Sequence, residues 1–358
     1  MKALITAGGR ATRLRPITHT INKHLIPIAG KPMLFYAIEK VVGAGINEIG
    51  IIINPGEQEI PRVVGDGSRF GARVSYIEQQ GGPLGIAHAV NMAHDFLGDE
   101  PFMFYLGDNI ILGDLKRFRD KFENENLNCL LAFSLARGLS RFGVPEMKDG
   151  RIIRVDEKPE NPKSQYAVTG IYIYDKNFFD AFSRIAPSGR GEYEISDIHT
   201  LLINDGFNVG YEVITGWWKD TGRPEDLLEG NQLVLSEFAS RDVANNGDTH
   251  NDARIQGRVK VGKGTKIGPN VLIRGPVVIG DDCVIEDSYI GPYTSIGDRV
   301  VIRGAEIEHS IIFDEAEISC PRRIVDSILG FKARVSNLND SFPQGHKLIV
   351  GDHAVVEL

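Results

Sequence analysis

The chain has 358 residues, 42% hydrophobic and 25% charged, which are the values of a folded protein with enough length for two domains. Its formal charge of −8 disfavours non-specific binding to DNA or RNA, which calls for a basic face. The three scattered cysteines, Cys129, Cys283 and Cys320, exclude a disulfide framework and the usual cysteine-rich zinc sites.

No apolar run reaches the ~18 residues needed to span a bilayer. Met1-Lys2 leads at once into a strand-like run instead of a secretory segment, so the expected location is the cytoplasm. From residue 1 to 238, strand-like and helix-like segments alternate. Ala3-Leu4-Ile5 is a short apolar strand; Leu34, Ile38 and Val41-Val42 have helical spacing that ends at Gly43-Ala44-Gly45. Ile49–Ile53 reads as a buried strand and Arg73–Ile77 as a shorter one. Leu84–Leu97 carries its apolar residues on one helical face, and Phe102–Leu106 is strand again. This alternation predicts an α/β, Rossmann-like domain with a mostly parallel central sheet, whose ligands sit beyond the carboxyl ends of the strands.

Residues 239–253 are polar and read as a linker. After them the period changes. Ile255, Val261, Ile267, Ile273, Ile279 and Ile285 recur every six residues, and after a one-residue slip the series resumes at Ile290, Ile296 and Ile302. A hexapeptide repeat of this kind predicts a parallel β-helix over 254–358, each aliphatic side chain pointing into the shaft. Gly262, Gly268, Asn270, Gly280, Asp281, Gly297 and Asp298 suit its corners, and residues 303–350 read as less regular further coils.

Several loops carry candidate chemistry. Gly8 and Gly9, followed by Thr12 and Arg13, sit just after the first strand, where backbone amides could cradle phosphates and a guanidinium could offset their charge. Lys23 follows in Asn22-Lys23-His24-Leu25-Ile26-Pro27. Gln80 and Gly85 belong to a Gly-rich turn at a strand end, and the Gln80 amide could read a base edge. Asp108-Asn109 follows the strand at Phe102–Leu106, a position suited to a magnesium ligand beside phosphates. Glu157-Lys158 sets a carboxylate beside a cation, and Asp220 supplies a second acid near the end of the domain.

Taken in order, the blocks GGRATRLRP, NKHLIP with GKPM, GDGSRFG, QQGGPLGIA, LGDN, RFGV, EKPENPKSQYAVTGIY, GRGEYEISD and WWKDTG closely resemble those of glucose-1-phosphate thymidylyltransferases. The repeat makes the chain similar to the long forms of that family, which end in a left-handed β-helix. The resemblance implies dTTP and glucose 1-phosphate as substrates and Mg²⁺ as cofactor. Gly8, Gly9, Thr12 and Arg13 would hold the nucleotide, with Arg13 stabilising the transition state and Lys23 on the phosphates. Gln80 and Gly85 would recognise the base, and Asp108 and Asp220 would converge on one Mg²⁺. Asn109, Gly143, Glu157 and Val168 would line the sugar site, and Lys158 would bind the sugar phosphate. Ala11 stands where the family's loop usually has glycine, which is harmless only if its φ is negative.

Other readings stay open at this stage. The run Gly85–Val90 is also like that of uridylyltransferases, so UTP competes with dTTP. The β-helix could be a structural module for a homo-oligomer or a second site for acetyl transfer with His309 or His353 as base. A non-catalytic regulatory subunit is the reading from another class. It is disfavoured because Arg13, Lys23, Asp108, Lys158 and Asp220 are all retained. No nucleic-acid or membrane partner is expected.

Overall fold

Short apolar runs that are buried on both faces pair in parallel, and the chain begins with such a set. The structure is a computed structural model that describes residues 1–9, 11–238, 243–337, 350 and 352–356. They form two compact units that do not follow chain order: Met1–Arg10 with Leu34–Asp220, and Ala11–Met33 with Thr221–Leu358.

In the first unit, β1 (Lys2–Thr6), β2 (Glu48–Ile53), β3 (Arg73–Glu78) and β4 (Phe102–Leu106) make a parallel core in the order β3-β2-β1-β4. Helix α1 (Met33–Gly43) connects β1 to β2, and α2 (Glu59–Val64) connects β2 to β3. The expected helix over 84–97 is two shorter ones, α3 (Ile86–Asn91) and α4 (His94–Leu97). Its first two residues are absorbed by the turn at Gly85, whose φ is +100°.

Beyond β4 the sheet is mixed. After the short strand β5 (Asn109–Ile111) and α5 (Lys116–Asn124) come β6 (Cys129–Leu135), β7 (Gly143–Lys148), β8 (Arg151–Glu157) and β9 (Tyr166–Tyr174). Strand β9 runs antiparallel to β4, β6 and β7. The unit closes with α6 (Asn177–Arg184), α7 (Ile195–Asn204), β10 (Val209–Val213) and β11 (Trp218–Asp220). Phe102, Phe104, Tyr174 and Phe178 are wholly buried together with Leu4 and Ile198, an aromatic-rich core beneath the strands.

In the second unit, helix α8 (Pro224–Ser236) precedes a parallel β-helix with three faces. Its coils begin at Ala244–Asn245 and Asp248–Thr249, inside the stretch read as a linker, and these strands already pair with the next coil. Val261, Ile267, Ile273, Ile279, Ile285, Ile290, Ile296 and Ile302 are at most 1% exposed, so the predicted column does fill the shaft. Regular coils continue past residue 303, through Ile307, Ile312, Ile318 and Ile324 to Arg334–Ser336.

They looked irregular in sequence because the coils shorten. Asp281 accepts from the Lys263 N–H 18 residues away, Asp298 from the Asp281 N–H at 17, and Asp314 from the Asp298 N–H at 16. The corner glycines are needed for stacking: a Cβ on Gly262 would lie 2.4 Å from the Gly280 oxygen, and neither glycine has a positive φ. Positive φ falls instead on residues such as Asn270, Asp282, Tyr293 and His309.

Candidate functional site

The carboxyl ends of β1, β2, β3 and β4 lie on one edge of the parallel core, and the loops that leave them hold the nucleotide candidates. Gly8 and Gly9 follow β1. The Gly9 N–H donates to Asn54 Oδ1 at 3.0 Å and the Asn54 Nδ2 donates back to the Gly9 oxygen at 3.2 Å. Asn54 follows β2, so two adjacent strand ends fix each other's turns. A Cβ on Gly8 would come within 3.2 Å of that same Asn54 oxygen.

After β3, Gln79 Nε2 donates to the Gly82 oxygen at 3.2 Å, while Gln80 is exposed. The turn ends at Gly85, where a Cβ would sit 2.6 Å from the Tyr193 oxygen. The Tyr193 N–H donates to the Leu84 oxygen at 2.8 Å, so the loop that carries Gly85 is latched to the segment before α7.

Asp108 follows β4. The turn is tight: the Gly107 N–H donates to the Thr6 oxygen at 3.0 Å, and a Cβ there would be 2.3 Å from that oxygen. Strands β5 and β11 pair antiparallel and set Asp220 opposite Asn109, the residue that follows Asp108. Asn109 is 2% exposed; its Nδ2 donates to Asp108 Oδ1 at 2.9 Å and its Oδ1 accepts from Trp218 Nε1 at 2.6 Å. Asn109, expected at the sugar site, is thus engaged at both ends of its amide by Asp108 and Trp218. Arg141 Nη2 lies 3.9 Å from Asp220 Oδ2.

No group of three or more His, Cys, Asp or Glu suited to a metal occurs among the described residues. Asp108 and Asp220 are of the type that fits Mg²⁺, which takes one or two protein carboxylates and completes its shell with water and substrate phosphates.

A second cluster gathers around Glu157. Gly143 pairs with Glu157 on one side and with Val168 on the other, so three predicted residues from β7, β8 and β9 share one rung. Glu157 Oε2 accepts from Ser196 Oγ at 2.7 Å, and its other oxygen lies 3.3 Å from Lys158 Nζ and 3.6 Å from Arg190 Nη2. Arg190 in turn is held by Glu194, at 2.7 Å. Lys158 has φ +47° and its N–H donates to the Phe142 oxygen at 3.0 Å. A cleft of about 300 Å³ opens beside Glu157, lined by Arg154, Asp156, Asp197 and Thr200 among others. Burial, and then the carboxylates of Glu194 and Glu157, push the Asp197 carboxyl above its ordinary range.

Thr12, Arg13 and Lys23 belong to the second unit. Thr12 and Arg13 are exposed in a 3₁₀ turn whose cap, Ala11, has φ +44°, so the alanine does occupy a left-handed position. Lys23 begins a further 3₁₀ turn capped by Asn22, whose Oδ1 accepts from the His24 N–H at 3.0 Å. His309, a candidate base for acetyl transfer, is tied to Asp326 and, at 3.2 Å, to Gln232 of α8.

Asn54, Arg141, Arg190, Ser196 and Trp218 were not singled out from sequence. Arg190 and Ser196 lie within the GRGEYEISD block and Trp218 within WWKDTG, but nothing in their spacing ties them to residues so distant along the chain.

Known proteins resemble the chain over its whole length. Residues 2–237 match the nucleotidyl transferase family, and residues 258–287 match the bacterial transferase hexapeptide (six repeats). The chain is 44% identical over 363 residues to a glucose-1-phosphate thymidylyltransferase of Streptomyces antibioticus, covering 100% of this chain and 99% of that one. It is 41% identical to a nucleotidyltransferase of low-salt glycan biosynthesis in Haloferax volcanii, each covered in full at 100%. A solved Bacillus anthracis protein assigned as a glucose-1-phosphate thymidylyltransferase, bound to sucrose, superposes with a TM-score of 0.62 at 36% identity, over 68% of this chain and 97% of that one.

Proposed function

Because the chain belongs to the nucleotidyl transferases, as a full-length relative of glucose-1-phosphate thymidylyltransferases with a hexapeptide β-helix, we propose that it makes dTDP-glucose and pyrophosphate from dTTP and glucose 1-phosphate. An oxygen of the sugar 1-phosphate attacks the α-phosphorus in line, and the bond from that phosphorus to the pyrophosphate oxygen breaks. A phosphate monoester is already a nucleophile, so no covalent enzyme intermediate is required. The enzyme's task is to bring two polyanions together.

In this reading the Gly8-Gly9 turn, Thr12 and Arg13 hold the triphosphate, and Arg13 and Lys23 offset charge that builds in the transition state. Gln80 and Gly85 recognise the base. The backbone of Gly143 and Val168 lines the sugar site, Glu157 accepts from sugar hydroxyls, and Lys158 binds the sugar phosphate. Ser196 and Arg190 fix the Glu157 carboxylate, leaving its remaining lone pairs for the sugar. Asp108, oriented by Asn109, and Asp220 hold Mg²⁺. Bound there, the ion supplies positive charge to the reacting phosphates. Each cationic contact of this kind is worth about 3 kcal/mol in the transition state. Residues 1–238 are the catalytic portion in this reading and 254–358 the β-helix. A cytoplasmic homo-oligomer built on the flat faces of the coils completes it.

The observation that supports the reading most is the β5–β11 ladder, which sets Asp220 opposite Asn109, the neighbour and hydrogen-bond partner of Asp108. A pyrophosphate-release assay with dTTP, UTP, CTP, ATP and GTP against several sugar 1-phosphates tests it. The fastest turnover is expected for dTTP with glucose 1-phosphate; preference for UTP would reassign the base, and no release with any pair would end the proposal.

A further inference from the structure

Lys23 lies on a segment that folds with the β-helix and α8, and this has a consequence for catalysis. The Ile26 N–H donates to the Lys23 oxygen at 3.1 Å, and the Met33 N–H to the Ile26 oxygen at 3.1 Å. Between them Pro27–Ile28 and Lys31–Pro32 form a hairpin whose two turn residues, Ala29 and Gly30, have φ of +49° and +76°. A two-residue turn with both φ positive matches the twist of a hairpin, and Ile26 joins the base of that hairpin to the Lys23 turn through backbone hydrogen bonds.

The tip is anchored. The Ala29 N–H donates to Asn231 Oδ1 at 2.8 Å, and Asn231 Nδ2 donates to the Tyr293 oxygen at 2.9 Å. Asn231 belongs to α8 and is 1% exposed; Tyr293 is a corner of the β-helix with φ +62°. Around this bridge Ala29, Leu235 and Val278 are buried together, with Val234, Phe238 and Tyr293 packed on them. At the far end of α8, Arg258 donates to the Ser236 and Phe238 carbonyls and satisfies the last turn of the helix.

We propose that Asn231 is a positioning residue for Lys23, and that the β-helix is the mount on which this cation is held for the reaction. A buried amide that donates to one backbone and accepts from another leaves two unpaired groups when it is replaced by a hydrocarbon, so the mount has no substitute partner. The β-helix then has a catalytic consequence without having a second active site. The inference rests on the nucleotidylyl-transfer reading and on the role of Lys23 in it. Loss of a mount is felt in kcat, because small displacements of a group that acts on the reacting phosphates are costly.

The experiment uses the full chain and four proteins: wild type, Asn231→Leu, Lys23→Met and the double variant. In Asn231→Leu, kcat is expected to fall about tenfold or more, with the KM for glucose 1-phosphate within about twofold of wild type. Exchange of the Ala29 amide is expected to accelerate. In the Lys23→Met background the same change is expected to cost less than about threefold, since the group that it positions is gone. If Asn231→Leu does not fold, Asn231→Ala and the Ala29 exchange rate carry the same comparison. A folded Asn231 variant with wild-type kcat, or an equal loss in both backgrounds, would overturn the inference. A Lys23→Met variant with wild-type turnover would instead refute the Lys23 role itself, and the inference would fall with it.

Discussion

The strand-end loops of the first unit and the coils of the second solve opposite problems. Around β5 and β11, and along the rung of Gly143, Glu157 and Val168, single residues from distant parts of the chain meet once, and each is irreplaceable where it meets. In the interior coils of the β-helix an inward aliphatic meets the equivalent residue of the coil above and below, as Ile285 does with Ile267 and Ile302. In the proposed function the first arrangement concentrates chemistry, while the second spreads stability over near-identical neighbours. Substitutions in the two regions therefore affect different measurements.

The sharpest contrast pairs Lys158→Ala with Ile285→Ala. Lys158 is exposed, so its loss is expected to lower kcat/KM for glucose 1-phosphate about 100-fold while the unfolding midpoint stays put. Ile285 is wholly buried, and its truncation is expected to cost about 3 kcal/mol of stability with turnover at 25 °C retained. Equal effects of both variants on both measurements would erase the distinction between the regions.

A smaller effect isolates the first unit by pH. His199 is buried against Tyr174, whose hydroxyl lies 2.6 Å from its Nε2, and burial lowers its pKa to about 3. The unfolded chain takes up that proton near pH 6.5 and the folded chain does not. Stability is thus full above that pH and falls as the pH drops towards 3, by about 2 kcal/mol at pH 5. Urea midpoints at pH 7 and pH 5 should converge for His199→Gln, and an unchanged pH dependence in that variant would show that the loss arises elsewhere. Smallest of all, Ala11→Gly should stabilise by about 1 kcal/mol, because Ala11 sits at φ +44°. A melting scan would register it, and a destabilised variant would contradict the left-handed geometry.

What sequence could reveal differed between the regions for the same reason. Local period is readable, so the parallel strands and the coils up to Ile302 were visible. The coils after Ile302 were obscured when the coil repeat shortened from 18 to 16 residues, although the shaft continued. At the site, loops such as Gly8-Gly9 and Asp108-Asn109 were legible because they follow strands. The partners that fix them were hidden, since Asn54, Ser196 and Trp218 meet their targets only through long-range pairing. Asn231 is the extreme case: a buried asparagine on an ordinary amphipathic helix carries no local mark of the backbones that it joins.

The proposed sharing of one ion by Asp108 and Asp220 is best tested by a double-mutant cycle on pyrophosphate release from dTTP and glucose 1-phosphate, with Mg²⁺ in excess. Either aspartate replaced by alanine should reduce kcat about 1000-fold, and replacing both should cost little more, because one ion is lost in each case. Losses that multiply in the double variant, or near-normal turnover in either single one, would show that the two acids do not serve a common ion.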